Sequence, residues 1–572
     1  MKLKHIIPLI LIISHLAFLN AFSHTPMVGR NGMVVSSCPL ASKVGIDILK
    51  RGGNAVDAAV AVAFTLAVTY PQAGNIGGGG FMLIRLADGT TTAIDYRETA
   101  PLRATPSMYL DAEGNIIPDL SLRGPQAAGI PGTVAGLTFA LEHYGTMDLK
   151  TILKPAIQLA KKGFPVTFDM SQDFYTLKAD FQKYPSTAKI FLKNGTPYQM
   201  GDIFRQLDLA KTLEQIAKHG AKAFYQGSIA KLIDQAMKRD GGLISLEDLK
   251  LYQPVIREPL ISTYRDYTIY TMPPPTSGGI ILCGILNAME PVNLQAIGHN
   301  SAEYIHQFVE ICNHYYADRA FFMGDPDFVN IPVTGLISKE YALQIRQSID
   351  PGRHIPSQCI SHGDSLWLET YFSQPSESDN TTHFSVVDCW GNAVSNTYTL
   401  NDSYGSYYVV EGAGFLLNNE MDDFSIKPGA PNIYGLVGDK ANSIQPRKRM
   451  LSSMTPTIIT KNANLFLVLG SPGGSKIITS VCQVVLNVID HHMNIQDAVL
   501  APRVHSQWLP DELVIEPLGI SADVVTLLQL KGHKVRTGHY MGEIQAIMVD
   551  TERGLLFGAI DLRFGNSAVA SY

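Results

Sequence analysis

The chain is poor in the residues that would announce a metal site, a disulfide scaffold or a nucleic-acid surface. Six cysteines in 572 residues are widely scattered, at positions 38, 283, 312, 359, 389 and 482, with no Cys-x-x-Cys. That spacing excludes a disulfide framework and a zinc knuckle, and the cysteines are expected to be mainly structural. No His-Glu-x-x-His, EF-hand or Walker pattern occurs, and Gly470-Ser-Pro-Gly-Gly-Ser-Lys476 has the wrong spacing for a phosphate loop. No metal or organic cofactor is expected. A basic excess is also missing: the net charge is −6, and −8 without Lys2 and Lys4, so nucleic acid is excluded as a partner. Long apolar runs are absent too. Ala58–Val68 falls far short of the ~20 residues that span a bilayer and is expected to be a core helix, leaving no stable membrane anchor.

What is present is an ordinary globular composition, 46% hydrophobic and 17% charged, on a chain long enough for a large core. Lys2 and Lys4 precede an apolar stretch from Ile6 to Leu19, and Ala21-Phe22-Ser23 supplies small residues for cleavage. Residues 1–23 therefore have the form of a signal peptide, and the protein is expected to be exported, to a periplasm first and to the medium as the alternative.

Helical spacing covers Ala41–Tyr70, interrupted at Gly52-Gly53-Asn54, and recurs at 152–162, 207–218 and 228–238. Strands are expected at Phe81–Leu86 and Thr91–Tyr96, then at Tyr267–Thr271, Ala413–Asn418, Thr457–Thr460 and Leu465–Leu469. Helices are expected after Thr276-Ser-Gly-Gly279, at Ile477–His491 and at Ala522–Lys531. Residues 362–380 are polar and turn-rich, the composition of an exposed loop that tolerates cleavage. Strands flanked by helices on both sides of Asn380 imply two packed sheets with helices outside.

The chemistry concentrates in Asn380–Asn401, NTTHFSVVDCWGNAVSNTYTLN. Two Val-, Thr- and Tyr-rich runs around Cys389-Trp390-Gly391 read as a hairpin. A three-residue loop sets Asp388 opposite Asn392 and Thr381 opposite Thr399, with Asn401 on the diagonal. A threonine hydroxyl needs a base beside it to act as a nucleophile, and His383 is the one imidazole close by in sequence. Cleavage between Asn380 and Thr381 offers a simpler base: the α-amine of Thr381 itself, with an ordinary pKa of about 7.7–8.0. A solvated sheet edge is the plain alternative.

Six motifs in order, Asn75-Ile-Gly-Gly-Gly-Gly-Phe81 with Tyr96-Arg-Glu98, Thr381-Thr-His-Phe-Ser385, Thr399-Leu-Asn401, Asn418-Asn-Glu-Met-Asp-Asp-Phe424, Leu451-Ser-Ser-Met454 and Gly470-Ser-Pro-Gly-Gly-Ser475, resemble the γ-glutamyltranspeptidases. The resemblance implies an Ntn-hydrolase of α+β class. Its fold is a four-layer αββα sandwich built from both halves of a precursor that cuts itself before Thr381. It further implies a large subunit of residues 24–380, a small catalytic subunit of residues 381–572, and an αβ heterodimer forming one intertwined domain. The implied activity is transfer of γ-glutamyl groups from glutathione and related compounds to water or to amino-acid or dipeptide acceptors.

Each implied site residue suits the substrate. Arg97 carries a planar fork for the α-carboxylate, and Ser452 and Ser453 add hydroxyl donors. Asn401, Glu420 and Asp423 accept from the α-ammonium. Gly473 and Gly474 resemble the family's oxyanion hole, and Thr399 the residue that hydrogen-bonds the nucleophile. Pro431–Gly438 resembles a lid loop that lays Tyr434 over the glutamyl group. Two positions depart from the family pattern: Met450 where proline is expected, and Leu562 in Asp561-Leu-Arg563, where Asp-Pro-Arg is common. An acylase or poly-γ-glutamate depolymerase of the same fold, and an exported binding protein that stays uncut, are the rival implications.

Overall fold

The computed structural model describes residues 24–360 and 381–572. The leader, the loop 362–380 and Asn380 lie outside the described residues. Fourteen strands make two large sheets. They are β1 (Met27–Gly29), β2 (Met33–Ser36), β3 (Gly79–Arg85), β4 (Thr91–Tyr96), β5 (Val255–Arg257), β6 (Leu260–Tyr264) and β7 (Tyr267–Thr271). After the cut expected before Thr381 come β8 (Thr382–Val387), β9 (Ala393–Thr399), β10 (Thr457–Lys461), β11 (Asn464–Gly470), β12 (Gln545–Asp550), β13 (Leu555–Ile560) and β14 (Ala568–Ser571). One sheet has the order β1-β13-β12-β11-β10-β7-β6 and the other β14-β2-β8-β9-β3-β4-β5, all pairs antiparallel. Both sheets mix strands from before and after residue 380, so neither part of the chain can form its sheet alone.

Helices α1 (Pro39–Lys50) and α2 (Ala55–Thr69) cover the outer face of the second sheet. Helix α2 starts with a capping box: Asn54 Oδ1 accepts from the backbone of Val56 and Asp57, while Asp57 Oδ2 accepts from Asn54 N. Every residue of α2 is buried, as a sequence apolar but for Asp57, Thr65 and Thr69 requires, and the two threonine hydroxyls donate to carbonyls one turn back. Helices α3 (Gly278–Met289), α4 (Ala302–Phe322) and α5 (Ile477–Ile489) cover the first sheet and pack into the core that also fills the space between the sheets. The layers are helix, sheet, sheet, helix.

Most expected elements are found within two residues of their expected ends, but Ala413–Asn418 is no strand. Gly412 and Gly414 adopt φ of 77° there, and the segment folds back in a turn with one isolated bridge, Val409 to Leu416. The run is apolar because it is buried, not because it pairs in a sheet. The strands β1, β2, β5, β6 and β12–β14 were not anticipated. All six cysteines are free thiols, four of them buried.

Candidate active site

The hairpin β8–β9 has the expected register: Thr382 pairs with Tyr398 and Val387 with Ala393, so Thr381 stands opposite Thr399 at the open end. Side chains alternate across it. Phe384, Val386, Val394 and Tyr398 enter the core under α2, and the residues between them face the other sheet. That inter-sheet face is polar. Ser395 Oγ donates to Leu469 O and Ser385 Oγ to Gln545 O, both on strands of the first sheet. His383 shares hydrogen bonds with Thr397 and Ser385. Thr381 ends this line, and its Oγ1 donates to Thr399 Oγ1 at 3.4 Å. Thr399 Oγ1 in turn accepts from Asn401 N at 2.9 Å.

The glycine-rich run before β3 makes this end possible. A Cβ on Gly78 would lie 2.0 Å from Thr399 O, so only glycine lets the chain pass. Asn75 Nδ2 donates to the same oxygen at 2.9 Å. His383 is no candidate base at neutral pH, because complete burial pushes its pKa down to about 3 and its nitrogens are engaged by hydroxyls.

Thr381, Thr399, Asn401, Asp423, Tyr434, Ser452, Ser453, Gly474 and Arg97 all line one narrow cavity. Seven separate stretches of sequence thus converge on one place. Gly473 and Glu420 do not line it, although both abut residues that do. Gly473 and Gly474 have φ of 130° and 54°, conformations open to glycine, and lead through a short turn into α5. Tyr316 of α4 holds that turn by donating to Ser475 O at 2.6 Å.

Arg97 follows β4 and is 1% exposed. Its Nη2 donates to Asp423 Oδ2 at 2.5 Å and its Nε to Met450 O at 3.4 Å. Glu420 Oε2 is 2.7 Å from Nη1, an ion pair without aligned hydrogen-bond geometry, and Glu98 stands at 3.7 Å. Against the cost of burial, Glu420, Asp423 and Glu98 push the guanidinium further into its charged form. Three carboxyls share one cation, and burial drives Glu98 up to about 8 and Glu420 well above the carboxylate range. None of the carboxyl oxygens of Glu98 and Glu420 makes a hydrogen bond among the described residues. Ser453 Oγ is likewise buried without a hydrogen-bond partner.

The loop 431–438 is folded over this cavity. Asn432 Nδ2 donates to Asp423 Oδ1 at 2.9 Å, Ile433 N to Asp422 Oδ2 at 2.9 Å, and Tyr434 OH to Asn401 O at 2.5 Å. Tyr434 is 8% exposed and packs so closely on Gly474 that a Cβ there would meet its ring at 2.4 Å.

Sequence reasoning missed Arg319, on the last turn of α4. It lines the cavity beside Ser452 and Ser453, and its Nε donates to Ser277 Oγ at 3.1 Å. No carboxylate lies within ion-pair distance among the described residues, and burial draws its pKa down to about 10. Leu436, Met454 and Ile477 supply the apolar part of the wall. Ser277 Oγ and N both donate to Ser452 O, which fixes the Ser-Ser pair.

The gamma-glutamyltranspeptidase family model matches residues 41–571. The chain is 49% identical to the glutathione hydrolase proenzyme of Escherichia coli (strain K12), over 96% of this chain and 93% of that one. It superposes on a cephalosporin acylase from Bacillus halodurans with a TM-score of 0.84 at 26% identity, covering 96% and 97% of the two chains. A chain of Helicobacter pylori gamma-glutamyltranspeptidase aligns with a TM-score of 0.58 at 48% identity, covering 59% of this chain and 97% of that one. Motifs, architecture and relatives agree: this chain belongs to the gamma-glutamyltranspeptidase family.

Proposed function

We propose that the protein is a γ-glutamyltransferase and glutathione hydrolase that matures by cleavage between Asn380 and Thr381. The observation that carries this is the convergence of Thr381, Thr399 and Gly474 with Arg97, Arg319, Asp423 and the serine pair around one cavity. An acyl group without an amino-acid head would leave these charges unpaired, which disfavours the acylase alternative despite the shared fold.

Once the α-amine of Thr381 is released, it removes the proton from Oγ1 as that oxygen attacks the γ-carbonyl carbon of the donor. Thr399, through its hydroxyl, orients the nucleophile. The carbonyl oxygen becomes an oxyanion, which the backbone N–H groups of Gly473 and Gly474 stabilise; such donors contribute about 2.7–4 kcal/mol each. The tetrahedral species collapses, the C–N bond breaks, and the Thr381 ammonium returns its proton to the departing amine. Glutathione leaves cysteinylglycine and a γ-glutamyl ester on Thr381. Water, or the amine of an amino acid or dipeptide, repeats the sequence in reverse and frees the threonine.

Recognition of the glutamyl head divides between two sides. Arg97, Arg319, Ser452 and Ser453 take the α-carboxylate; Asn401, through its side-chain amide oxygen, and Asp423 take the α-ammonium. Glu420 positions Arg97 rather than touching substrate. Tyr434 closes the cavity over the bound group. The family's proenzyme names and the H. pylori chain, which matches only 59% of this one, support a processed large-and-small-subunit heterodimer. The leader supports export.

N-terminal sequencing of the mature small subunit is expected to give Thr-Thr-His-Phe-Ser, and Thr381→Ala to remain one uncut, inactive polypeptide. An uncut wild-type enzyme with full activity would overturn the mechanism. Rates on γ-glutamyl and glutaryl anilides decide the substrate, and a preference for glutaryl would overturn that part alone.

A further inference from the structure

A second cluster of titratable side chains lies away from the catalytic cavity and has no part in the reaction. Helix α4 places His306 and Glu310 one turn apart on the same face, both fully buried. His533, which follows the helix Ala522–Leu530, reaches the same point from the far end of the sequence. His306 Nδ1 and His533 Nε2 are 2.8 Å apart, and Glu310 Oε1 lies 4.0 Å from the first and 3.9 Å from the second. In a triangle with these sides the equidistant point is about 2.1 Å from every corner, the length of a zinc bond to imidazole nitrogen or carboxylate oxygen.

The surroundings orient the donors inward. His306 Nε2 is 2.8 Å from Asp350 O, and a carbonyl only accepts, so the proton of the neutral ring sits on Nε2 and the Nδ1 lone pair faces the centre. That is the arrangement in which metal-binding histidines are held. Glu310 is fixed by two donors, His354 Nδ1 at 2.6 Å and Ile355 N at 3.2 Å. His354 is itself held by Asp511, whose Oδ1 also accepts from Ser357 Oγ. Two imidazoles and one carboxylate, with His306 and Glu310 each held by an outer partner, form a donor set suited to zinc.

We propose that His306, Glu310 and His533 bind a structural zinc ion that ties α4 and the 350–357 segment to the C-terminal part of the chain. Entry of the ion displaces the proton between the two imidazoles; His533 carries it on Nδ1 instead, and both facing nitrogens become ligands. If the cut before Thr381 occurs as proposed above, the ion joins the two subunits, but binding itself does not depend on that cut. Helix α4 also carries Tyr316 and Arg319 into the catalytic region, so a pin near its start steadies the element that holds the Gly473–Gly474 turn.

The test uses tag-free full-length protein, stripped with a chelator and titrated with zinc chloride. Expected are one zinc ion per chain that survives gel filtration, a rise in Tm of several degrees on zinc addition, and visible d–d bands more intense than those of six-coordinate cobalt when cobalt(II) replaces zinc. His533→Gln keeps a donor toward His306 but removes a ligand, and should weaken zinc binding roughly 100-fold and abolish the Tm rise. Glutathione hydrolysis at low temperature should stay within about twofold in both proteins. Less than a fifth of an ion per chain, cobalt spectra of a six-coordinate surface ion, or equal binding by the variant would each overturn the proposal. If the variant fails to fold, the cobalt spectrum of the wild-type enzyme decides alone.

Discussion

Arg97 and Arg503 are both 1% exposed and both surrounded by acceptors, yet their surroundings are balanced in opposite ways. Around Arg503 the acceptors are all used, although its Nε makes no hydrogen bond among the described residues: Nη1 donates to Met541 O, Gly542 O and Asp561 Oδ2, and Nη2 to Val499 O. Asp561 is also gripped by Arg563, which pairs with Glu516 as well. Although burial opposes it, Arg503 and Arg563 hold the Asp561 carboxyl below its ordinary range, in the charged form. Around Arg97 three carboxyls compete for one cation, and those of Glu98 and Glu420 keep oxygens with no hydrogen bond. A cluster whose acceptors are all used holds the fold; a cluster with an excess of carboxyls around one guanidinium gives a site an acidic side, on which Asp423 faces the cavity.

The largest effect that would separate the two regions is on stability. Arg503→Ala takes one of two guanidiniums from Asp561 and leaves three carbonyls without that donor in the interior, and each buried acceptor so left costs about 1–3 kcal/mol, a sum of several kcal/mol. Urea denaturation of the variant should show a loss of that size. A loss under about 1 kcal/mol would remove the distinction drawn above.

Next is a dependence on pH of opposite sign in the two regions. Glu98 titrates at about 8 in the folded protein against an ordinary 4.5. Below 4.5 both states hold the proton. As pH rises from there to 8 only the unfolded chain ionises, so stability falls across that window. Glu98→Gln should flatten this decline. Asp561, depressed in the fold, contributes stability above its unfolded pKa that is lost as pH falls through the folded value. Thermal melts from pH 3 to 9 compare the arms; a Glu98→Gln profile parallel to wild type would show that the carboxyl ionises normally.

Arg97→Gln gives a smaller effect, in catalysis. The carboxyls left behind can take up protons, as Glu98 and Glu420 are already inclined to do, so the fold should survive. A charge-assisted hydrogen bond to the substrate carboxylate is worth about 1.5–3 kcal/mol, so kcat/KM should fall by roughly 10- to 150-fold, mostly through KM. Arg319, the second cation, keeps the loss from being total. A stability loss matching that of Arg503→Ala, with KM unchanged, would make Arg97 structural as well.

These differences were only partly visible beforehand. The hairpin register was legible because alternation and a three-residue loop fix it, and with it the meeting of Thr381 and Thr399. The motifs brought Arg97, Asp423 and the serine pair into view as substrate ligands. Arg319 was not legible: nothing in Ala317-Asp318-Arg319 marks which face of a 21-residue helix points at a cavity. Nor could the competition around Arg97 be foreseen, since it depends on contacts more than 300 residues apart. The short strands β1, β2 and β5 were missed because three or four residues carry no period of their own.

The smallest effect concerns Leu562, between the two residues that hold the Arg503 cluster together. Its side chain is 58% exposed, while Asp561 and Arg563 on either side carry the contacts. The family's proline at this position would therefore replace an outward-facing group. Proline would fix φ at its own position, remove its N–H and narrow the backbone choices of the residue before it, which is Asp561. That residue already follows β13 with its carboxylate fixed by two guanidiniums, so the restriction coincides with its present state. Leu562→Pro should change stability by less than about 0.5 kcal/mol and leave the rate of cleavage before Thr381 within twofold. A several-fold change in cleavage would mean that the proline moves the Asp561 carboxylate, and that the saturated cluster governs maturation as well as the fold.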